Sequence, residues 1–187
     1  AVDKVGDLPI NFANVNSFEA SAYRDMQLEN WEKAFDESLN WLVDQPFSSE
    51  PIKQASYLST IANNDTDLSI KICDFGLKLN HTDFTFLNNK TYSLALDGRS
   101  DEAEKIFGQI LYESLTEAEK VTYNATKGLL FYSKGEKMAG ENSYNNAEEL
   151  AKKIKNETLA FRVRTYKVQT ELIFGSRSEA VRAIAHL

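Results

Sequence analysis

Gly98-Arg99-Ser100-Asp101-Glu102-Ala103, with Leu94 before it and Phe107 after it, is the stretch on which the fold turns. Gly98 can take the left-handed backbone that ends one helix and redirects the chain. Ala103 stands five residues on, and Phe107 and Ile110 follow it four and seven residues later, on one face of a second helix. Thr91 and Leu94 lie twelve and nine residues before Ala103 and form the matching stripe of a first helix. The stretch predicts a helix–turn–helix unit with an apolar stripe on each helix.

The same arrangement recurs along the chain. Indexed on Ala34, Ile70, Ala103, Gly140 and Ala180, the steps are 36, 33, 37 and 40 residues, a spacing that marks a stacked array. Gly135 and Gly175 hold the place of Gly98 in their units, and Glu29 and Asp65 hold it in the others. Second helices carry Ser38/Trp41, Asp74/Leu77, Phe107/Ile110, Tyr144/Ala147 and Ile184/Leu187. First helices carry Ala22/Asp25, Leu58/Ile61, Thr91/Leu94, Gly128/Phe131 and Val168/Glu171. Asp25 and Glu171 interrupt the stripe, so the end units are expected to shift register, with Tyr23, Met26, Tyr166 and Leu172 taking over the packing. Thr116-Glu117-Ala118-Glu119 and Ser176-Arg177-Ser178-Glu179 read as capping boxes. The predicted helices are 16–28, 31–44, 51–63, 66–79, 84–96, 100–114, 117–133, 137–155, 158–174 and 177–187, after an irregular lead-in over 1–14. The repeat domain spans 15–187, divided at about 15–50, 51–83, 84–120, 121–157 and 158–187.

Composition agrees with an all-α chain: 42% of residues are hydrophobic, with only 3 Pro and 8 Gly in 187. Against 28 Asp+Glu stand 21 Lys+Arg, scattered, for a net charge of −7, so no cationic face exists for direct nucleic-acid binding. The acidic balance suits a neutral or basic partner. No apolar run approaches the roughly 20 residues that span a bilayer, and no hydrophobic signal core opens the chain. Cys73 is the single cysteine, which suits a reducing, cytoplasmic setting, and frequent Asn suggests an AT-rich genome.

Leu87, Leu94, Gly98, Ala103 and Phe107, with the stretch 98–103 between them, resemble a tetratricopeptide repeat. Gly128, Phe131, Gly135, Gly140, Tyr144 and Ala147 resemble a second, and Asn30-Trp31-Glu32-Lys33-Ala34 with Pro46 the second half of another. Ile70 and Thr82 depart from the pattern, where that family often has Ala and Pro. The resemblance implies a right-handed superhelical α-solenoid of about five helix pairs whose first helices line a concave groove. Carried across by position, it implies partner contacts at Tyr23, Gln27, Ser59, Asn63, Asn88, Tyr92, Tyr132, Arg162, Thr165 and Gln169. Such a polar and aromatic wall suits a peptide or helix of a partner protein. Arg162 and Asn88 fall on different repeats without a cationic cluster, which disfavours capture of a terminal carboxylate.

Catalytic chemistry has few candidates. His81 and His186 are far apart in sequence, no metal-ligand spacing is present, and no cofactor motif appears. Cys73, among Ile70, Ile72 and Leu77, reads as a small buried apolar side chain. The chain is therefore expected to be a non-catalytic scaffold, with a structural or dimerisation arm of a larger multidomain regulatory enzyme as the alternative. The C-terminal helix, through Val181, Ile184 and Leu187, offers an apolar face for a further repeat or for self-association. Pro46-Phe47-Ser48-Ser49-Glu50-Pro51, Asn80-His81-Thr82-Asp83-Phe84 and Leu87-Asn88-Asn89 also resemble the repeat segment of large bacterial proteins carrying a PIN-type nuclease domain.

Overall fold

A computed structural model describes residues 17–176 together with Ser178, Val181 and Ile184. Among the described residues there are helices and turns but no strand. The helices are α1 (Phe18–Gln27), α2 (Trp31–Asp44), α3 (Ser49–Ile61), α4 (Thr66–Leu79), α5 (Phe84–Leu96), α6 (Ser100–Phe107), α7 (Glu117–Ser133), α8 (Lys137–Lys153) and α9 (Glu157–Phe174), with a 3-10 turn at Tyr112–Ser114. The lead-in over 1–14, the anchor Ala180, Leu187 and, from the second capping box, Arg177 and Glu179 lie outside the described residues, as does most of the expected helix 177–187.

Short polar side chains cap five of these helices. Ser17, Asp65, Asp83 and Asn156 each accept a first-turn backbone N–H, and Thr116 with Glu119 forms the expected reciprocal box. Turns within pairs follow the repeat. Glu29, Gly98 and Gly135 all have positive φ (58°, 75° and 79°), and the residue after each donates its N–H to the carbonyl five positions back. Two positions differ from expectation. In the second pair the left-handed residue is Asn64, because Asp65 serves instead as N-cap of α4. Gly175 is extended (φ −88°, ψ −164°), not left-handed.

Neighbouring pairs share their cores, as two helices alone cannot cover both stripes. One cluster joins Ile70, Leu87, Leu94, Ala103, Phe107, Leu129 and Leu130, and another joins Val121, Tyr144, Ala147, Ala160 and Val163. Within each pair the helices pack side by side, while α3, α5, α7 and α9 also touch one another in succession and form the inner row. The result is an α-solenoid. α7 and α8 cross with reciprocal seating: Tyr144 lies over Gly128, and Tyr132 lies over Gly140. Their hydroxyls continue to α9, Tyr144 to Thr170 Oγ1 at 2.7 Å and Tyr132 to Glu171 Oε1.

The expected register shift at the ends does not occur. Asp25 and Glu171 occupy the buried stripe at 4% and 6% exposure, whereas Tyr23 (41%) and Leu172 (63%) face solvent. Met26 and Tyr166 do join the packing. The acids remain because each has a partner: Asp25 accepts from Arg24 at 2.8 Å, and Glu171 from Tyr132. The Arg24 hydrogen bond holds the Asp25 carboxyl below its ordinary pKa. Helix α6 ends at Phe107 instead of running to 114. Gly108 caps it, three-residue hydrogen bonds tighten the chain after it, and the irregular link lets Ile110 and Leu115 reach the core.

Candidate functional site

The inner row does not enclose an open channel. Tyr57 on α3 and Tyr166 on α9, 109 residues apart, meet through their hydroxyls at 3.0 Å, and the Tyr92 ring lies 5.9 Å from that of Tyr166. The array curls far enough for its second and fifth pairs to touch across the hollow. Behind this clasp is a cavity of about 170 Å³. Helix α3 contributes Tyr57, Thr60 and Ile61; α5 contributes Asn88, Asn89 and Tyr92; α7 contributes Thr122, Ala125 and Thr126; α9 contributes Leu159, Arg162, Val163 and Tyr166; and Tyr144 reaches in from α8.

On each inner helix these residues are three and four apart, so they form a second stripe beside the core stripe. The stripe moves along the array. It uses the C-terminal half of α3, the middle of α5 and the N-terminal halves of α7 and α9. Thus the hollow runs obliquely across the stack.

Of the ten positions expected in the groove, Asn88 and Tyr92 of the third repeat and Arg162 of the fifth converge on the cavity. Tyr23, Gln27, Asn63 and Gln169 are exposed, and Thr165 is partly exposed with its hydroxyl donating to the Phe161 carbonyl. None of these five lines the cavity. Ser59 and Tyr132 are core residues and not groove residues. Ser59 is fully buried with its hydroxyl on the Ala55 carbonyl, and Tyr132 is consumed by Gly140 and Glu171. Position-by-position transfer missed Tyr57, Thr60, Thr122, Thr126 and Tyr166. Their signal was the second three-and-four spacing, and the oblique drift concealed it.

One polar group in the wall has no partner. Asn88 is 6% exposed, and its side-chain Oδ1 accepts no hydrogen bond. Leaving such a buried acceptor unmatched costs about 1–3 kcal/mol. Nearby, Thr60, Ser93 and Ser69 satisfy one another through hydroxyl contacts of 2.8 Å, and Asn89 donates to Ser56 at 3.0 Å. Asn88 is therefore distinct among its neighbours. Burial raises the pKa of Tyr92, Tyr144 and Tyr166, so their hydroxyls stay neutral. Arg162 lies close enough to Tyr166 to oppose that rise.

The wall can offer hydrogen bonds, aromatic faces and one cation. Among the described residues no group of three or more His, Cys, Asp or Glu is placed to hold a metal ion. Cys73 is fully buried, and burial pushes its thiol up to about 12. His81 is exposed on a turn. Among the described residues no helix is long and apolar enough to cross a membrane.

No family model matches this chain, and no curated protein does. Among solved structures, one described as a MamA RS-1 ArsTM double mutant is similar over 90% of this chain and 89% of its own. The TM-score is 0.56 and the sequence identity 14%. A likeness at that identity carries the fold alone, and it agrees with the helical-repeat architecture described above.

Proposed function

We propose that this chain is a non-catalytic protein–protein interaction scaffold that takes a peptide of a partner protein on its concave side. The observation that carries the reading is the unpartnered Asn88 acceptor, set by four successive inner helices in a wall of tyrosines. A buried polar group without a partner is costly in the free chain and becomes useful when a ligand supplies the missing donor. Tyr92 and Arg162 are the neighbouring contacts, and Tyr23, Gln27, Asn63, Thr165 and Gln169 extend the surface beyond the cavity. A lone buried cysteine suits a cytoplasmic setting. The test is selection from a displayed peptide library, followed by Arg162→Ala. Loss of the selected peptides with unchanged melting supports the reading; undiminished binding overturns it.

A second reading rests on Leu172, Ile173, Val181 and Ile184, all exposed apolar side chains toward the C-terminal end. They suit a structural or dimerisation arm of a larger protein. Removing 177–187 then abolishes self-association in light scattering; a monomer before and after removal sinks this second reading.

A further inference from the structure

Resting on the peptide-binding reading, we propose that the cavity seats one aromatic side chain of the partner peptide, a tryptophan or tyrosine, whose ring N–H or hydroxyl donates to Asn88 Oδ1. Volume sets the size of the occupant. A cavity of about 150 Å³ lined by apolar side chains takes up benzene, so about 170 Å³ holds one ring. A helix, about 10–12 Å across with its side chains, cannot enter. The walls set the shape. Tyr57, Tyr92, Tyr144 and Tyr166 offer ring faces and edges for offset or edge-to-face contact.

Polarity narrows the choice further. A leucine or phenylalanine would fill the space and leave Asn88 Oδ1 unmatched. A lysine or arginine would bring a second cation to a cavity that Arg162 already lines. A neutral planar side chain with one donor satisfies volume, wall and acceptor together. Buried rings of this kind are the residues that most often dominate a binding surface.

The experiment titrates the full chain with N-acetyl-L-tryptophanamide, with its ring-N-methylated analogue and with N-acetyl-L-leucinamide, following amide chemical shifts. Saturable shifts centred on Asn88, Asn89, Thr126 and Tyr166 are expected, with roughly tenfold weaker binding of the methylated and leucine compounds. Asn88→Leu should reproduce that loss without lowering the melting temperature, because the Oδ1 it removes has no partner to lose. Equal affinity for the methylated compound, shifts centred elsewhere, or full binding by Asn88→Leu would overturn the assignment. The methylated compound keeps the test valid on the unaltered protein.

A peptide arm separates this proposal from the scaffold reading. Undiminished binding of a selected peptide after its aromatic residue is changed to Ala removes the aromatic seat and leaves the scaffold. Saturable binding of the free amide, with no peptide binding at all, overturns the partner assignment and the scaffold reading together, and makes the occupant a small aromatic molecule.

Discussion

Gly140→Ala tests the packing between the two helices of the fourth pair and, through the Tyr132 hydroxyl, their tie to the fifth. A Cβ at Gly140 would lie 2.3 Å from Tyr132 Cδ2, 2.7 Å from its Cε2 and 3.0 Å from the Gly128 carbonyl oxygen. Ordinary carbon contacts are about 3.5–4.0 Å, so the ring must retreat by about 1.2 Å or more. It has little room. Its hydroxyl is tied to Glu171, and its ring centroid lies 6.2 Å from that of Tyr144, whose own hydroxyl is tied to Thr170. Overpacking costs about 1–3 kcal/mol, and loss of a hydrogen bond to a carboxylate about 1.5–3 kcal/mol. Against these, alanine gains about 1 kcal/mol in helix propensity. The net is a destabilisation of about 1.5–5 kcal/mol. In a chain of this length each kcal/mol moves the midpoint by about 2–4 °C, so Tm should fall by roughly 3–20 °C. Urea unfolding followed by circular dichroism gives the free energy. Gly108→Ala is the control, since its Cβ meets only the Glu104 carbonyl at 3.4 Å and the Lys105 carbonyl at 3.8 Å and should change stability little. A Gly140→Ala protein that melts with the parent or above it would refute the reciprocal glycine–tyrosine packing.

Three further outcomes follow from the same geometry. Glu29→Gly should raise stability by about 0.5–1 kcal/mol in urea titration, because a left-handed L-residue costs more there than glycine loses in entropy; an equal loss would mean the side chain contributes what the backbone forfeits. Tyr57→Phe should remove the hydroxyl clasp to Tyr166 at a cost of about 0.5–1.5 kcal/mol and increase hydrogen exchange in both α3 and α9, and exchange confined to α3 would contradict the closed hollow. Alkaline pH should destabilise the fold. Burial raises the Cys73, Tyr92, Tyr144 and Tyr166 pKa values above their unfolded ones, so each stabilising contribution is complete below the unfolded pKa, 9.0 for the thiol and 10.0 for the phenols. Each is lost as pH rises from there through the folded value. Tyr166→Phe should flatten that decline, and an identical pH profile would disprove its part in it.

The pairwise architecture was legible because its determinants are local. Gly98 and Gly135 specify left-handed turns, Thr116 and Glu119 form a box within one helical turn, and Ala34, Ala103 and Gly140 allow close helix contact at a regular step. Misreadings arose where a buried polar residue had a partner that spacing does not reveal. Glu171 meets Tyr132 from 39 residues away, which keeps it in the stripe from which a lone acid would be expelled. The early end of α6 was signalled by Gly108, a weak helix former, but the fate of the following link depended on the space around Phe107, whose ring stacks on Tyr123 at 4.3 Å.

The site is harder to read because it depends on pitch. Each pair's rotation against the next is set by how closely particular side chains permit approach, and small differences add along a solenoid. Over three steps they bring Tyr57 to Tyr166, and they move the inner stripe from the end of α3 to the beginning of α9. A rule that assigns contacts at one constant position per repeat assumes a straight trough. Here it finds Asn88, Tyr92 and Arg162, where the oblique hollow crosses the assumed line, and it selects Ser59 and Tyr132 where the curl has turned that line into the core. The same curl replaces a long surface of equivalent weak contacts with one bounded space. Recognition then depends on matching a single acceptor and its aromatic walls, so a substitution at Asn88 should affect binding more than one at Gln27 or Gln169 on the open surface.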